Sequence, residues 1–228
     1  MPTAVLLSGG LDSAVLLAEE AGRGDVQPIY VSVGLAWERA EKTMLDRLLA
    51  ATTFGDRTRP LVSLAVDMSD VYAATLWAVR GQPPSYHTAD EDVYLPGRNV
   101  VLLGKAGVYC AAAKIDRLAL GTLAHNPFPD ATPAFRSAMA QALSLGLAHT
   151  LTIDAPYAAL GKAEIVRRGR ALGVPFDSTL SCMGPVEKVL RVFVHCGVCS
   201  KCRERHDAFL AAGTEDTTDY ADRTYMTA

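Results

Sequence analysis

Residues 3–22, TAVLLSGGLDSAVLLAEEAG, constrain the fold more than any other stretch of the chain. An apolar run of strand length stops at a loop holding two glycines and two serines, and an apolar helical pattern starts at once. The same alternation then repeats. QPIYVSV (27–33), PLVSLAV (60–66), DRLALGT (116–122) and TLTIDAP (150–156) read as four further strands. The first is followed by AWERAEKTMLDRLLAAT, with helical spacing through Met44, Leu45, Leu48 and Leu49. Helical patterns also occupy RNVVLLGKAGVYCAAAK, TPAFRSAMAQALSLG and KAEIVRRGRALG. Such alternation implies right-handed βαβ units, and therefore an α/β fold whose mostly parallel, five-stranded sheet is covered on both faces. Ligands of these sheets bind beyond the carboxyl ends of the strands, where the strand order reverses, so the loop 8–13 is expected at that rim.

The loop itself, Ser8-Gly9-Gly10-Leu11-Asp12-Ser13, has the chemistry of a phosphate cradle. Glycines let the backbone take positive φ and approach a ligand, and the following helix N-terminus adds positive partial charge. Ser8 and Ser13 add hydroxyls, and Asp12 can hold Mg2+ directly or through water. A Walker loop would carry a lysine reaching the β- and γ-phosphates. This loop has none, which suits a pyrophosphate leaving group released when a nucleophile attacks the α-phosphorus of ATP. That chemistry adenylates a carboxylate or amide oxygen.

Bulk properties set the remaining bounds. The net charge of −3 leaves no strong positive field to recruit nucleic acid. The run Arg167-Arg168-Gly169-Arg170 reads as a solvated helix face. No apolar stretch is long enough to span a membrane, and Met1-Pro2-Thr3 carries no features of a secretory leader, so the expectation is a cytoplasmic protein. Of five cysteines, Cys196, Cys199 and Cys202 fall in HCGVCSKC, and Cys182 precedes them. Clustering at this spacing points to metal, with four thiolates closing a tetrahedral Zn2+ site. His195 is the alternative fourth ligand, although adjacent residues seldom chelate one ion comfortably. Cys110 sits at an apolar helix position and reads as core. Residues 81–97, GQPPSYHTADEDVYLPG, form a long loop without periodicity, and GTEDTTDYADRTYMTA (213–228) reads as a loosely held tail.

The hexapeptide at 8–13 resembles the S-G-G-x-D-S signature of the PP-loop ATP pyrophosphatases, and the C-terminal cysteines narrow the resemblance to the 7-cyano-7-deazaguanine synthase family. LPGRN (95–99), ALSLG (142–146), APY (155–157), KAEIVRRGRALGVPFDSTLSC (162–182) and CGVCSKCRERHDAF (196–209) are similar to its further motifs. The resemblance implies a Rossmann-like PP-loop fold (adenine nucleotide alpha hydrolase-like) with a small C-terminal zinc knuckle. The domains would be 1–175 for ATP binding and 176–212 for zinc, with 213–228 as the tail. Ser8, Gly9, Gly10, Leu11, Asp12 and Ser13 would bind ATP and Mg2+, and Cys182, Cys196, Cys199 and Cys202 would bind Zn2+. Lys162 would contact phosphate or the adenylated oxygen, and Arg98 and Asn99 would open a helix at the same rim, where Arg98 can clamp a carboxylate or phosphate. The implied reaction adenylates 7-carboxy-7-deazaguanine, forms the amide with ammonia, and dehydrates it to the nitrile with a second ATP. The family also implies a homodimer acting on small molecules.

The chain departs from the family on the substrate side. AHNPFPDATPAF (124–135) stands where the family has a loop of its deazapurine pocket. Phe128, Pro129, Asp130, Pro133 and Phe135 match, which makes Phe128 and Asp130, with Arg98, Asn99 and Trp37, the expected substrate residues. The family's leading Asp and its Ser, Gly, Cys and Arg are missing. VGLAWERAE (33–41) replaces a Tyr-Gly-Gln-Arg-His run. Trp37 and Phe128 are then either an aromatic wall for a flat ring or ordinary core. Polar groups built to read a ligand discriminate strongly, so these losses favour a relative that activates another carboxylate or joins a deazapurine to another molecule. A zinc-containing nucleic-acid module with an idle ATP loop is the third reading, opposed by the acidic charge.

Overall fold

In the computed structural model, which describes residues 2–226, the alternation becomes a five-stranded parallel sheet of order β3-β2-β1-β4-β5. The strands are β1 (Thr3–Leu6), β2 (Val26–Ser32), β3 (Val62–Ala65), β4 (Arg117–Ala119) and β5 (Thr152–Asp154). The helices are α1 (Leu11–Arg23), α2 (Glu38–Leu49), the short α3 (Trp77–Arg80), α4 (Arg98–Ala113), α5 (Pro133–Leu147), α6 (Lys162–Ala171) and α7 (Ser200–Ala212). All five expected strands are present; four are trimmed within the expected segments, and β2 starts one residue earlier and ends one residue earlier than expected.

Side-chain alternation along the strands divides the apolar residues between two faces. From β1, Val5 packs with Leu16, Tyr157, Ile165, Phe176 and Phe209, while Ala4 packs with Leu103, Ala106, Leu118 and Leu151. The chain runs outward from β1 through β2 to β3, then crosses to β4 on the other side of β1. The switch point therefore lies between β1 and β4, with the loop 7–10 on one flank and the loop 120–128 on the other. Among the described residues no helix is long and apolar enough to cross a membrane.

Three segments differ from expectation. Residues 81–97 are held by a buried cluster of Val93 and Leu95 with Leu35, Trp37, Tyr72 and Ala78. Residues 186–194 form an antiparallel hairpin, β6 (Val186–Val189) and β7 (Val192–Val194). Its turn places Arg191 at φ 60, a left-handed position without the glycine or asparagine that marks such turns in sequence. Of the expected tail 213–228, residues 214–226 are not loosely held: the Ala221 amide donates to the His195 carbonyl at 2.8 Å, and Thr218 and Tyr220 are buried; residues 227 and 228 lie outside the described residues.

Close approach of α6 to α1 depends on Gly169, where an added Cβ would meet Phe176 and come within 2.6 Å of Val15 Cγ2. Gly169→Ala is expected to destabilise by about 1–3 kcal/mol, read as a lowered Tm in calorimetry. An unchanged Tm would show that α6 shifts freely away from α1.

Candidate functional site

A cavity of about 530 Å³ opens at the switch point, within the range of small-molecule sites. The loop after β1 forms its floor. Gly9 sits at φ 79, and a Cβ there would lie 3.2 Å from Leu45 Cγ, so glycine is required both for the backbone and for the space. The loop is then tied internally. The Gly10 amide donates to Ser8 Oγ at 3.3 Å, Ser13 Oγ donates to the Gly10 carbonyl at 3.0 Å, and the two serine hydroxyls lie 3.4 Å apart. Across the switch point Gly121 presses on the same loop; a Cβ there would lie 3.2 Å from the Asp12 carbonyl carbon.

Helices α1 and α6 start at this cavity on Gly10 and Gly161, neither with a side-chain cap. Their first amides are thus left for an anionic ligand, assisted by the helix dipoles. Helix α4 is different. Its Asn99 amide donates to Asp130 Oδ2 at 3.0 Å, and Asn99 Nδ2 reaches Asp130 Oδ1 at 3.2 Å and the Asp130 carbonyl at 3.1 Å. Asp130 therefore caps α4 from the loop after β4 and fixes that loop, and the pair spends much of its hydrogen bonding on itself. Arg98, the first residue of α4, keeps a buried Nε without a partner and has no carboxylate within 4.0 Å among the described residues. It is available to an anion.

Lys162, at the start of α6, lies 3.2 Å from Asp12 Oδ2 and bonds Glu204 from α7. Lys201 also pairs with Glu204, at 2.5 Å. Burial alone would lower the Lys162 pKa, but the two carboxylates outweigh it and hold the ammonium charged. Glu204 is likewise opposed by burial, and Lys162 and Lys201 bring it down to about 2. Asp12 moves the other way: its burial dominates, because the lysine is shared unevenly and sits closer to Glu204. Asp12 Oδ1 is buried with no partner, an acceptor ready for a cation.

The wall opposite is aromatic. Trp37 and Trp77 stack with centroids 5.7 Å apart at 15°, and Tyr94 lies 5.2 Å from Phe128. Trp37 is also core, and Trp77 and Phe128 pack against the same cluster, so these rings both line the cavity and join the core.

Cys182, Cys196, Cys199 and Cys202 converge with all ligand atoms within 4.8 Å of one another, a group that can hold a metal ion. Backbone amides of Gly184 and Cys196 donate to Cys182 Sγ at 3.3 and 3.2 Å, and the Gly197 amide donates to Cys202 Sγ at 3.4 Å. Such donors stabilise thiolates and orient them. His195 is turned away from the group: its Nε2 accepts the Ser181 amide at 3.1 Å. Cys110 is core, and burial pushes its thiol up to about 12. The cluster is joined to the loop after β1, since the Leu180 amide donates to the Gly9 carbonyl at 2.8 Å and Cys182 itself lines the cavity.

The structure thus brings Ser8, Gly10, Leu11, Asp12, Ser13, Trp37, Arg98, Asn99, Phe128, Asp130 and Lys162 around one cavity, with Gly9 shaping its floor. Sequence reasoning missed Glu204, Lys201, Glu41 and Trp77, which also line it. The Lys201–Glu204 spacing of three was visible as a helix pair, but its reach to Lys162, 42 positions away in sequence, was not.

A family model described as "Queuosine biosynthesis protein QueC" matches residues 3–213. The chain is 35% identical over 235 residues to the 7-cyano-7-deazaguanine synthase of Methanopyrus kandleri, covering 96% of this chain and 98% of that one. It is 33% identical over 228 residues to the enzyme of the same name from Anaeromyxobacter dehalogenans, covering 95% and 94%. A predicted tRNA methyltransferase subunit from Methanocaldococcus jannaschii is 16% identical with a TM-score of 0.45, covering 79% of this chain and 92% of that one.

Removing the shared lysine leaves two buried carboxylates facing each other. Lys162→Met is expected to destabilise by about 3–5 kcal/mol, and adding Glu204→Gln should restore part of that loss in urea denaturation. Because the folded-state pKa of Glu204 is depressed, its stabilisation is present above its ordinary value of 4.5 and is lost as pH falls toward about 2. A Glu204→Gln variant whose acid unfolding follows the same curve as the parent would contradict this account.

Proposed function

The chain belongs to the queuosine biosynthesis protein QueC family, and from that membership we propose that it is an ATP-dependent carbon–nitrogen ligase acting on a 7-deazapurine carboxylate. The observation that carries the reading is the convergence of Ser8, Asp12, Ser13, Lys162 and Arg98 on one cavity at the switch point. Ser8, Ser13 and the uncapped amides of α1 hold the pyrophosphate portion of ATP. Arg98 orients the substrate carboxylate, which attacks the α-phosphorus; pyrophosphate leaves and the acyl adenylate forms. Lys162, kept cationic by its two carboxylates, neutralises charge at the reacting oxygens. Ammonia then displaces AMP to give the amide, and a second adenylation, now of the amide oxygen, permits dehydration to the nitrile.

The orphaned Oδ1 of Asp12 fits a divalent cation such as Mg2+, which would supply charge neutralisation on the phosphates. The four thiolates fit Zn2+ in a closed structural site with no position left for substrate. On this reading no cysteine serves as a thiol carrier, since Cys110 is the one left over and is buried.

A second reading, activation of a different carboxylate or joining of a deazapurine to another molecule, is favoured by one observation. Asp130, the acidic residue retained in the altered loop 124–135, is occupied in capping α4.

The deciding experiment follows pyrophosphate release from ATP and Mg2+ with ammonium, with and without 7-carboxy-7-deazaguanine, and identifies products by mass. Release coupled to the nitrile is the expected result. Release that stops at the amide would restrict the activity to the first adenylation, and no substrate-dependent release from folded, zinc-loaded protein would favour the second reading. Purified protein is expected to carry about one zinc per chain, and Cys182→Ser should lose most of it by elemental analysis, whereas Cys110→Ser should not.

A further inference from the structure

Five carboxylates line the cavity: Asp12, Glu41, Asp90, Asp130 and Glu204. Four are already engaged. Asp12 and Glu204 share Lys162, Asp90 lies 3.6 Å from Arg203, and Asp130 caps α4. Glu41 is the exception. It projects from the first turn of α2, is 6% exposed, and has no cation within 4.0 Å among the described residues. The Tyr30 hydroxyl donates to its Oε2 at 2.8 Å. The Glu41 backbone carbonyl is 3.6 Å from where a Gly9 Cβ would be, so the base of α2 abuts the phosphate loop. A buried carboxyl with no cation in ion-pair contact is unfavourable for folding alone, and such groups cluster where chemistry needs them.

We propose that Glu41 is the proton acceptor of the amidation step, a role that rests on the ligase reading above. The ammonia nitrogen forms the C–N bond at the activated carbonyl carbon, and the C–O bond to AMP breaks with its electron pair leaving on AMP. One nitrogen proton passes to the Glu41 carboxylate, leaving a neutral amide. The hydrogen bond from Tyr30 to Oε2 fixes the carboxyl plane and leaves Oε1 to take the proton.

The surroundings suit that role. Burial raises the Glu41 pKa to about 7, against the opposing pull of Arg98 from α4, the Tyr30 hydroxyl from β2 and the Trp37 side chain, while Glu38 on the same helix adds to the rise. A group poised there is ionised enough to accept a proton and basic enough to hold it. Glu38 does not compete for the role, since it accepts the Val33 amide at 2.7 Å and bonds the Ser32 hydroxyl at the end of β2.

The test compares parent and Glu41→Gln in two assays: pyrophosphate exchange into ATP dependent on 7-carboxy-7-deazaguanine, and single-turnover amide formation at constant free ammonia. For the parent, amide formation should rise through an acid limb centred near pH 7. In Glu41→Gln the limb should vanish and amide formation should fall about 100-fold, with exchange falling far less. A separate readout needs no turnover: carbon-13 NMR of carboxyl-labelled glutamate should show one resonance, missing in Glu41→Gln, that titrates near neutrality. Parent-like amide formation in the variant, equal loss in both assays, or a Glu41 resonance titrating in the ordinary carboxylate range would each overturn the proposal. Absence of substrate-dependent exchange in the parent would overturn the ligase reading, and this role with it.

Discussion

One ammonium group joins the three parts of this molecule. Lys162 begins α6, Asp12 belongs to the loop after β1, and Glu204 comes from α7 just beyond the last cysteine of the cluster. In this largely buried triad the lysine is the member that matters most, because removing it leaves two carboxylates facing each other. Its placement means that the phosphate loop, the start of α6 and the cysteine knuckle share one electrostatic unit. The hydrogen bond from Leu180 to Gly9 adds a backbone link between the same parts. The knuckle is therefore part of the wall of the cavity as well as a means of closing the C-terminal segment.

Around that unit the fold sorts helix starts by function. Helices α1 and α6 begin on glycines without side-chain caps, so their amides face the cavity unsatisfied, whereas α4 receives Asp130. The pattern leaves the starts of α1 and α6 open at the cavity, while Arg98 keeps a buried Nε without a partner at the start of α4. Five carboxylates around one cavity would otherwise repel an anion, and all five are paired with a cation or used as hydrogen-bond acceptors.

The C-terminal region is similarly economical. Arg205 is fully buried, yet its guanidinium finds Thr218 and Thr179 hydroxyls and the Phe176 carbonyl at 2.6, 2.9 and 2.7 Å. It binds the chain after Gly213 to the segment leading into Cys182. His195 does the same through Ser181, with its own backbone paired to Asp219 and Ala221. These contacts explain why a polar, weakly patterned segment packs in place: its buried Thr218 accepts from Arg205, and its buried Tyr220 bonds Asp216 within the segment while its ring lies against His195, so no apolar periodicity is needed.

Short-range patterning by itself determined the α/β class, the five strands, the main helices, the glycine loop and the four cysteines, because each rests on local periodicity, turn chemistry or ligand spacing. The family signature was legible for the same reason, being carried by contiguous motifs that the match over residues 3–213 supports. The hairpin at 186–194 was not legible, since its turn uses Arg191 in a conformation that favours glycine. Only the tertiary structure decided how charges are shared: that Lys162 divides unevenly between Asp12 and Glu204, that Asp130 is committed to α4, that His195 turns to Ser181, and that Glu41 is held by the Tyr30 hydroxyl and by no cation within 4.0 Å among the described residues. The physical reason is common to all four. A side chain's electrostatic role depends on partners brought within about 4 Å by tertiary packing, through the sheet order for Lys162 with Asp12, through the packing of α6 on α7 for Lys162 with Glu204, and not through neighbours in sequence.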